Sequence, residues 1–311
     1  MEVEAAFATV RDGIELKYKL HTSKKKGRKQ ILVCHHGYQS SSICWTSVLQ
    51  HFFLNTQDYN VLTFDCRGAG ESSHDSTAEQ MTFSTLAADV IDLVDQIFGQ
   101  NLTFTFIGLS MGTMVGLTIC NATFANRIEK LILIAPGPLQ TGVRAGNDYH
   151  EKERKHRALC CSNPTYFERA VDMYVAGNPR FHDQVKLTTF TACREKHKMY
   201  LQICLSCSEN HFDSLWTEMC NFRITKEQLK TIALKHGVLL VSGGCDDLLK
   251  DNMKDFVPMR FNCSLNVMPR VGHNICTQAP EELSLSILDF LQHGPITART
   301  LNARRDGIGR L

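Results

Sequence analysis

The sequence predicts an α/β fold built on a mostly parallel sheet, and three observations carry that expectation. Short apolar runs alternate with helical patterns over Ile31–Pro136 and again over Gly237–His293. The intervening helical stretches are long enough to be crossovers, which join parallel strands in right-handed βαβ units. Between the two regions, from Leu139 to about Thr231, strand-like runs vanish and charged helical segments take over, so a helical lobe is expected inside one α/β domain.

The elements follow in order. "FATV" and "IELKYKLH" read as an opening antiparallel pair, because Asp12–Gly13 is a hairpin turn signal. The basic run "SKKKGRK", Ser23–Lys29, reads as a solvated loop, as charge runs usually are. "ILVCHH" (Ile31–His36) is the next strand, followed by a helix over Trp45–Phe53. "NVLTFD" (Asn60–Asp65) is another strand, and Leu86, Val90, Leu93, Val94 and Ile97 then recur at helical spacing. "LTFTFIG" (Leu102–Gly108), a helix from Met111 to about Phe124 and "KLILIAP" (Lys130–Pro136) complete the first half. After the interruption come "GVLLVSGG" (Gly237–Gly244), "CSLNVMP" (Cys263–Pro269) and a last helix opening at Pro280 with Glu281 and Glu282, an N-terminal signature. These boundaries divide the chain into a core of residues 1–138 and 232–293, a helical cap of 139–231, and a tail of 294–311 expected to be disordered.

Composition narrows the function classes. At 311 residues, 43% apolar and 21% charged, the chain reads as soluble and globular. Its net charge of +2 gives no reason to expect nucleic acid or an anionic membrane as partner, and no apolar run approaches a membrane span. The 13 cysteines are scattered as buried hydrophobes, and no secretory leader opens the chain, so a cytoplasmic setting is expected and the sequons at Asn101, Asn121 and Asn262 carry no meaning. "CLSC", Cys204–Cys207 with His211 nearby, has no second CxxC to complete a zinc site, so no metal is expected. "FDCRGAGESS" (Phe64–Ser73) lacks the third glycine and the Lys-Ser/Thr pair of a phosphate loop, and reads as a turn with glycines for backbone reasons. No cofactor is implied.

The chemistry concentrates in Gly108-Leu109-Ser110-Met111-Gly112, a G-x-S-x-G between a strand and a helix. Such a tight turn leaves room only for small residues beside the serine, and it aims the hydroxyl at a helix N-terminus where backbone N–H groups favour developing negative charge. A serine hydroxyl needs a base, and the base an orienting carboxylate, in the chain order Ser, acid, His. Asp246, three residues past Gly243, is the preferred acid. Asp247 fits the same pattern counted from Gly244 and stays open as the alternative. His273, after Gly272 in the loop before the last helix, is the base, while His150, His156, His182 and His197 read as exposed faces of the insertion. The oxyanion donors are the backbone N–H of Met111 and that of Tyr38, in the loop "CHHGYQSS", where His36 reads as a packing residue of the turn.

With "HHGY", "FDCRGAGESS", "GLSMG", "GGCDD" and "GHN" in this order, the chain resembles the α/β-hydrolase superfamily. The resemblance implies an eight-stranded sheet, a cap after the sixth strand, and a substrate enclosed between cap and core. It is similar in style to carboxylesterases, monoacylglycerol-lipase-like enzymes, lactonases and C–C bond hydrolases. Ser110 separates it from the branches with a carboxylate at the nucleophile position, the haloalkane dehalogenases and epoxide hydrolases. The expectation is a serine hydrolase that cleaves an ester or lactone of a small to medium, largely apolar molecule through an acyl-enzyme. C–C bond hydrolysis, acyl transfer and a ligand sensor on the same scaffold share every residue named, and monomer and homodimer are equally open.

Overall fold

The computed structural model describes residues 2–23, 25, 27, 29–137, 139, 148–176, 187–246, 252–259 and 262–295. Eight strands form one sheet in the order β1-β2-β4-β3-β5-β6-β7-β8. They are β1 (Glu2–Thr9), β2 (Glu15–Thr22), β3 (Gln30–His35), β4 (Tyr59–Phe64), β5 (Phe104–Leu109), β6 (Ile128–Ile134), β7 (Gly237–Gly243) and β8 (Cys263–Met268). β2 runs antiparallel to both β1 and β4, and every pair from β4 to β8 is parallel. The central strands are continuously apolar because helices cover both faces: β5 is buried along its whole length. β8, at the edge, leaves Leu265 and Val267 about half exposed.

The helices are α1 (Thr46–Asn55), α2 (Phe83–Phe98), α3 (Met111–Asn121), α4 (Asp148–Ser162), α5 (Pro164–Ala176), α6 (Leu187–Ser206), α7 (Glu209–Asn221), α8 (Lys226–Lys235), α9 (Ile275–Gln278) and α10 (Pro280–His293). α2, α3 and α8 pack one face of the sheet, with Val90, Val94, Leu117, Leu229 and Ile232 in one apolar cluster. α1, α9 and α10 pack the other through Val48, Phe52, Ile275, Ile287 and Phe290. Local chemistry starts these helices where the chain expects them. The Thr82 hydroxyl accepts the Thr85 N–H at the head of α2, and Pro280 opens α10.

Helices α4 to α7 stand between β6 and β7, the place expected for a cap. The boundary expected at 231/232 falls inside α8. That helix begins at a capping box, Thr225 with Gln228, and its buried residues belong to the sheet-covering cluster. The tail expected to be disordered falls almost wholly on residues 296–311, outside the described residues. No helix among the described residues is long and apolar enough to cross a membrane.

Candidate active site

Ser110 sits where β5 turns into α3. Its backbone adopts φ 51° and ψ −112°, a strained conformation for a side chain with a Cβ, and its N–H donates to the Ile134 carbonyl at 2.8 Å. The flanking glycines have a measurable reason. A Cβ at Gly108 would lie 2.4 Å from the Gly112 oxygen, and one at Gly112 would lie 2.6 Å from the His35 oxygen. Larger residues at either position would push β3, β5 and α3 apart.

The structure brings His273 and Asp246 to this serine. His273 Nε2 lies 3.0 Å from Ser110 Oγ, and His273 Nδ1 lies 2.9 Å from Asp246 Oδ2. Because the carboxylate accepts, Nδ1 carries the hydrogen and Nε2 is left to take the serine proton. Asp246 is almost wholly buried, in a turn closed by its own N–H to the Gly243 carbonyl. His273 is followed at once by the single turn of α9, an element not expected there, whose Gln278 side chain accepts the Gly272 N–H at 2.6 Å. Asp247 lies outside the described residues.

The loop after β3 passes beside the serine: a Cβ at Gly37 would be 3.4 Å from Ser110 Cβ. Met111 is the first residue of α3, so its amide is among those a helix leaves without an intrahelical acceptor. His36 is fully buried. Its Nε2 accepts the Cys66 N–H at 3.0 Å, so its Nδ1 carries the hydrogen and donates to the Gly37 carbonyl at 2.8 Å. Burial lowers its pKa and keeps the ring neutral, consistent with that single tautomer.

Sequence reasoning did not find the groups that join the helical insertion to this loop. The Tyr38 hydroxyl donates to the Phe212 carbonyl of α7 at 2.6 Å, and its ring stacks on His211 and Phe212. Burial raises the Tyr38 pKa, which keeps the phenol a donor. The loop after β4 is the second mooring. Its Gly68 and Gly70 take positive φ (76° and 56°), and the Gly68 carbonyl accepts the N–H of Ser208, the cap of α7. His211 Nδ1 donates to the Arg67 carbonyl at 3.2 Å. Arg67 itself is fully buried and forms a bidentate pair with Asp89 of α2, at 2.6 and 2.7 Å. The reading of His150 as an exposed face is corrected: its ring lies flat against Phe212 and Trp216, because α4 folds back over α7. His182 lies outside the described residues. Of the aromatic and methionine residues of the insertion, Met219 is buried in the sheet-covering cluster and Trp216 packs against it, whereas Met173 is exposed.

The comparisons with known proteins agree with this architecture. The model of the Alpha/beta hydrolase family matches residues 32–284. The chain belongs to the alpha/beta hydrolase family. A Synechocystis protein that carries the name of a non-heme chloroperoxidase is 25% identical over 272 residues, covering 86% of this chain and 92% of its own. A protein phosphatase methylesterase 1 from Gibberella zeae is 21% identical over 306 residues, covering 92% of this chain and 72% of its own. Among solved structures, the enol-lactonase of Burkholderia xenovorans superposes with a TM-score of 0.68 at 18% identity, over 93% of this chain and 100% of that one. These structural likenesses show a shared fold.

Proposed function

We propose that the protein is a serine hydrolase that cleaves an ester or lactone bond of a small to medium, largely apolar molecule. The observation that carries this reading is the unbroken line from Asp246 through His273 to Ser110, ending at a strained elbow whose glycines have no room for a Cβ. Ser110 Oγ attacks the carbonyl carbon as its proton passes to His273 Nε2, and Asp246 holds the imidazolium that forms. The Met111 and Tyr38 amides receive the oxyanion. His273 then returns the proton to the leaving oxygen, and water repeats the sequence on the acyl-enzyme. Supporting this are the names of the relatives and neighbours, a methylesterase and an enol-lactonase among them. Every described cysteine is a free thiol, which suits the cytoplasmic setting that belongs to this reading.

The test is hydrolysis of short- and medium-chain p-nitrophenyl esters and of a simple lactone by the wild type and by Ser110→Ala. Loss of about three or more orders of magnitude in kcat is expected. Equal rates in the two proteins would overturn the reading.

A further inference from the structure

Resting on the serine-hydrolase reading, we propose that the cap sets the oxyanion hole: the Tyr38 hydroxyl and the Arg157 guanidinium are positioning groups that hold the Gly37–Tyr38 peptide against Ser110. The cap then does more than cover the substrate. It fixes a donor of the transition state.

The Gly37 carbonyl and the Tyr38 N–H belong to the same peptide, and no peptide bond of the described chain is cis, so the two groups point in opposite directions. On the core side, His36 Nδ1–H holds the carbonyl. The N–H therefore faces away from the His36 ring, in a loop that runs beside Ser110. One hydrogen bond fixes a direction and leaves the plane free to roll about it. A second anchor is needed.

That anchor comes from the cap. Directly after the peptide, the Tyr38 side chain reaches α7 and donates to the Phe212 carbonyl, and it is held there by stacking on His211 and Phe212. The next residue, Gln39, takes φ 50°, a left-handed conformation that costs a non-glycine residue on the order of 1 kcal/mol unless its surroundings hold it. Its side-chain oxygen lies 3.5 Å from Nη1 of Arg157, a residue of α4 that is 8% exposed. The Arg157 fork also donates to the Cys204 carbonyl at 2.7 Å and the Cys207 carbonyl at 3.0 Å, and lies over the Phe212 ring at 4.7 Å. Thus the end of α6, the start of α7 and Gln39 meet at a single planar cation. Two consecutive residues, the proposed donor Tyr38 and Gln39 after it, are tied to the cap.

Donors of an oxyanion hole act through placement, since their strength depends on aim at the oxygen that becomes charged. Loosening the plane should therefore weaken the transition state and spare the ground state. The experiment measures kcat and KM for p-nitrophenyl butyrate, and the inhibition constant of a straight-chain trifluoromethyl ketone, in Tyr38→Phe, Gln39→Ala and Arg157→Lys. Ser110 Oγ adds to the ketone carbon, its proton goes to His273, and the carbonyl electron pair becomes the hemiketal oxyanion. Tyr38→Phe keeps the ring and the backbone and removes only the hydroxyl. Arg157→Lys keeps the charge and loses the fork. Gln39→Ala leaves the buried cation untouched, so the test survives if Arg157→Lys does not fold.

The expected result is a fall in kcat of about tenfold or more in Tyr38→Phe, smaller in Gln39→Ala, with KM within about twofold. Affinity for the ketone should fall in step with kcat/KM. Wild-type kcat and ketone affinity in both Tyr38→Phe and Gln39→Ala would overturn the proposal, as would a rise in KM alone, which would make the cap a substrate holder only. Fluorophosphonate labelling of wild-type Ser110 separates the two readings: if the wild type neither labels nor hydrolyses, the hydrolase reading itself has failed.

Discussion

The sheet that carries Ser110 and the helical insertion between β6 and β7 are specified in different ways. On the sheet side, position follows from backbone. β5 ends in an elbow whose flanking glycines have no space for a Cβ, and the turns after β7 and β8 deliver Asp246 and His273 to within hydrogen-bond reach. On the cap side, position follows from side chains that meet across long stretches of sequence, such as Tyr38 with Phe212, 174 residues apart. The insertion itself divides: α7 is packed on the core through Leu215 and Met219, whereas Cys160, Ala170, Val171 and Leu201 of α4, α5 and α6 form a small cluster of their own. Strand ends can be located by pattern. A mooring made by a phenol and a carbonyl cannot.

The contrast can be broken at its strongest point first. His273→Ala should lower kcat for p-nitrophenyl esters by about 10⁴-fold while the far-ultraviolet circular dichroism stays unchanged. Retention of a tenth or more of the activity would remove His273 from the sheet-side machinery. Next in size is the core end of the mooring. Asp89→Ala leaves Arg67 buried without its bidentate partner, and urea denaturation should show a loss of about 3–5 kcal/mol. A loss under about 1 kcal/mol would show that the pair does not hold the loop on which α7 rests.

Acid should then loosen the same junction. Burial pushes the pKa of His35 and of His211 down to about 3, so the folded chain binds fewer protons than the unfolded chain below about pH 6.5. Stability from these groups is complete above the unfolded pKa and is lost as pH falls, by about 2 kcal/mol for each between pH 7 and pH 5. Asp89, raised to about 6 by burial against the pull of Arg67, works in the opposite sense over the carboxylate range and offsets part of this loss. Denaturation midpoints measured from pH 7 to pH 5 should fall, and His211→Gln should flatten the fall. A profile with the wild-type slope in that variant would contradict a neutral buried His211. The smallest effect belongs to the outer cap, where Arg194 pairs with Glu168 and Asp172 at the surface. Arg194→Ala should leave the thermal midpoint within measurement error, and a clear drop would mean the outer cap is more tightly built than its exposed ion pairs imply.

By itself the sequence determined the alternation of strand and helix, the place of the elbow, and the ends of β5, β7 and β8 to within one residue. The physical reason is that strand periodicity, helix caps and glycine-lined turns are local requirements, satisfied within a few residues of where they are written. It also narrowed the acid to Asp246 or Asp247, and the hydrogen bond to His273 falls on Asp246. Only the tertiary structure decided the remainder. The expected 231/232 boundary falls inside α8, which is charged like its neighbours, and its Leu229 and Ile232 count as core only once the sheet is beneath them. His150 reads as polar surface until Trp216 and Phe212 lie against its ring. The partners of Arg67, Tyr38 and Arg157 come from other elements of the fold, where burial makes an unmatched polar group costly and so dictates the match.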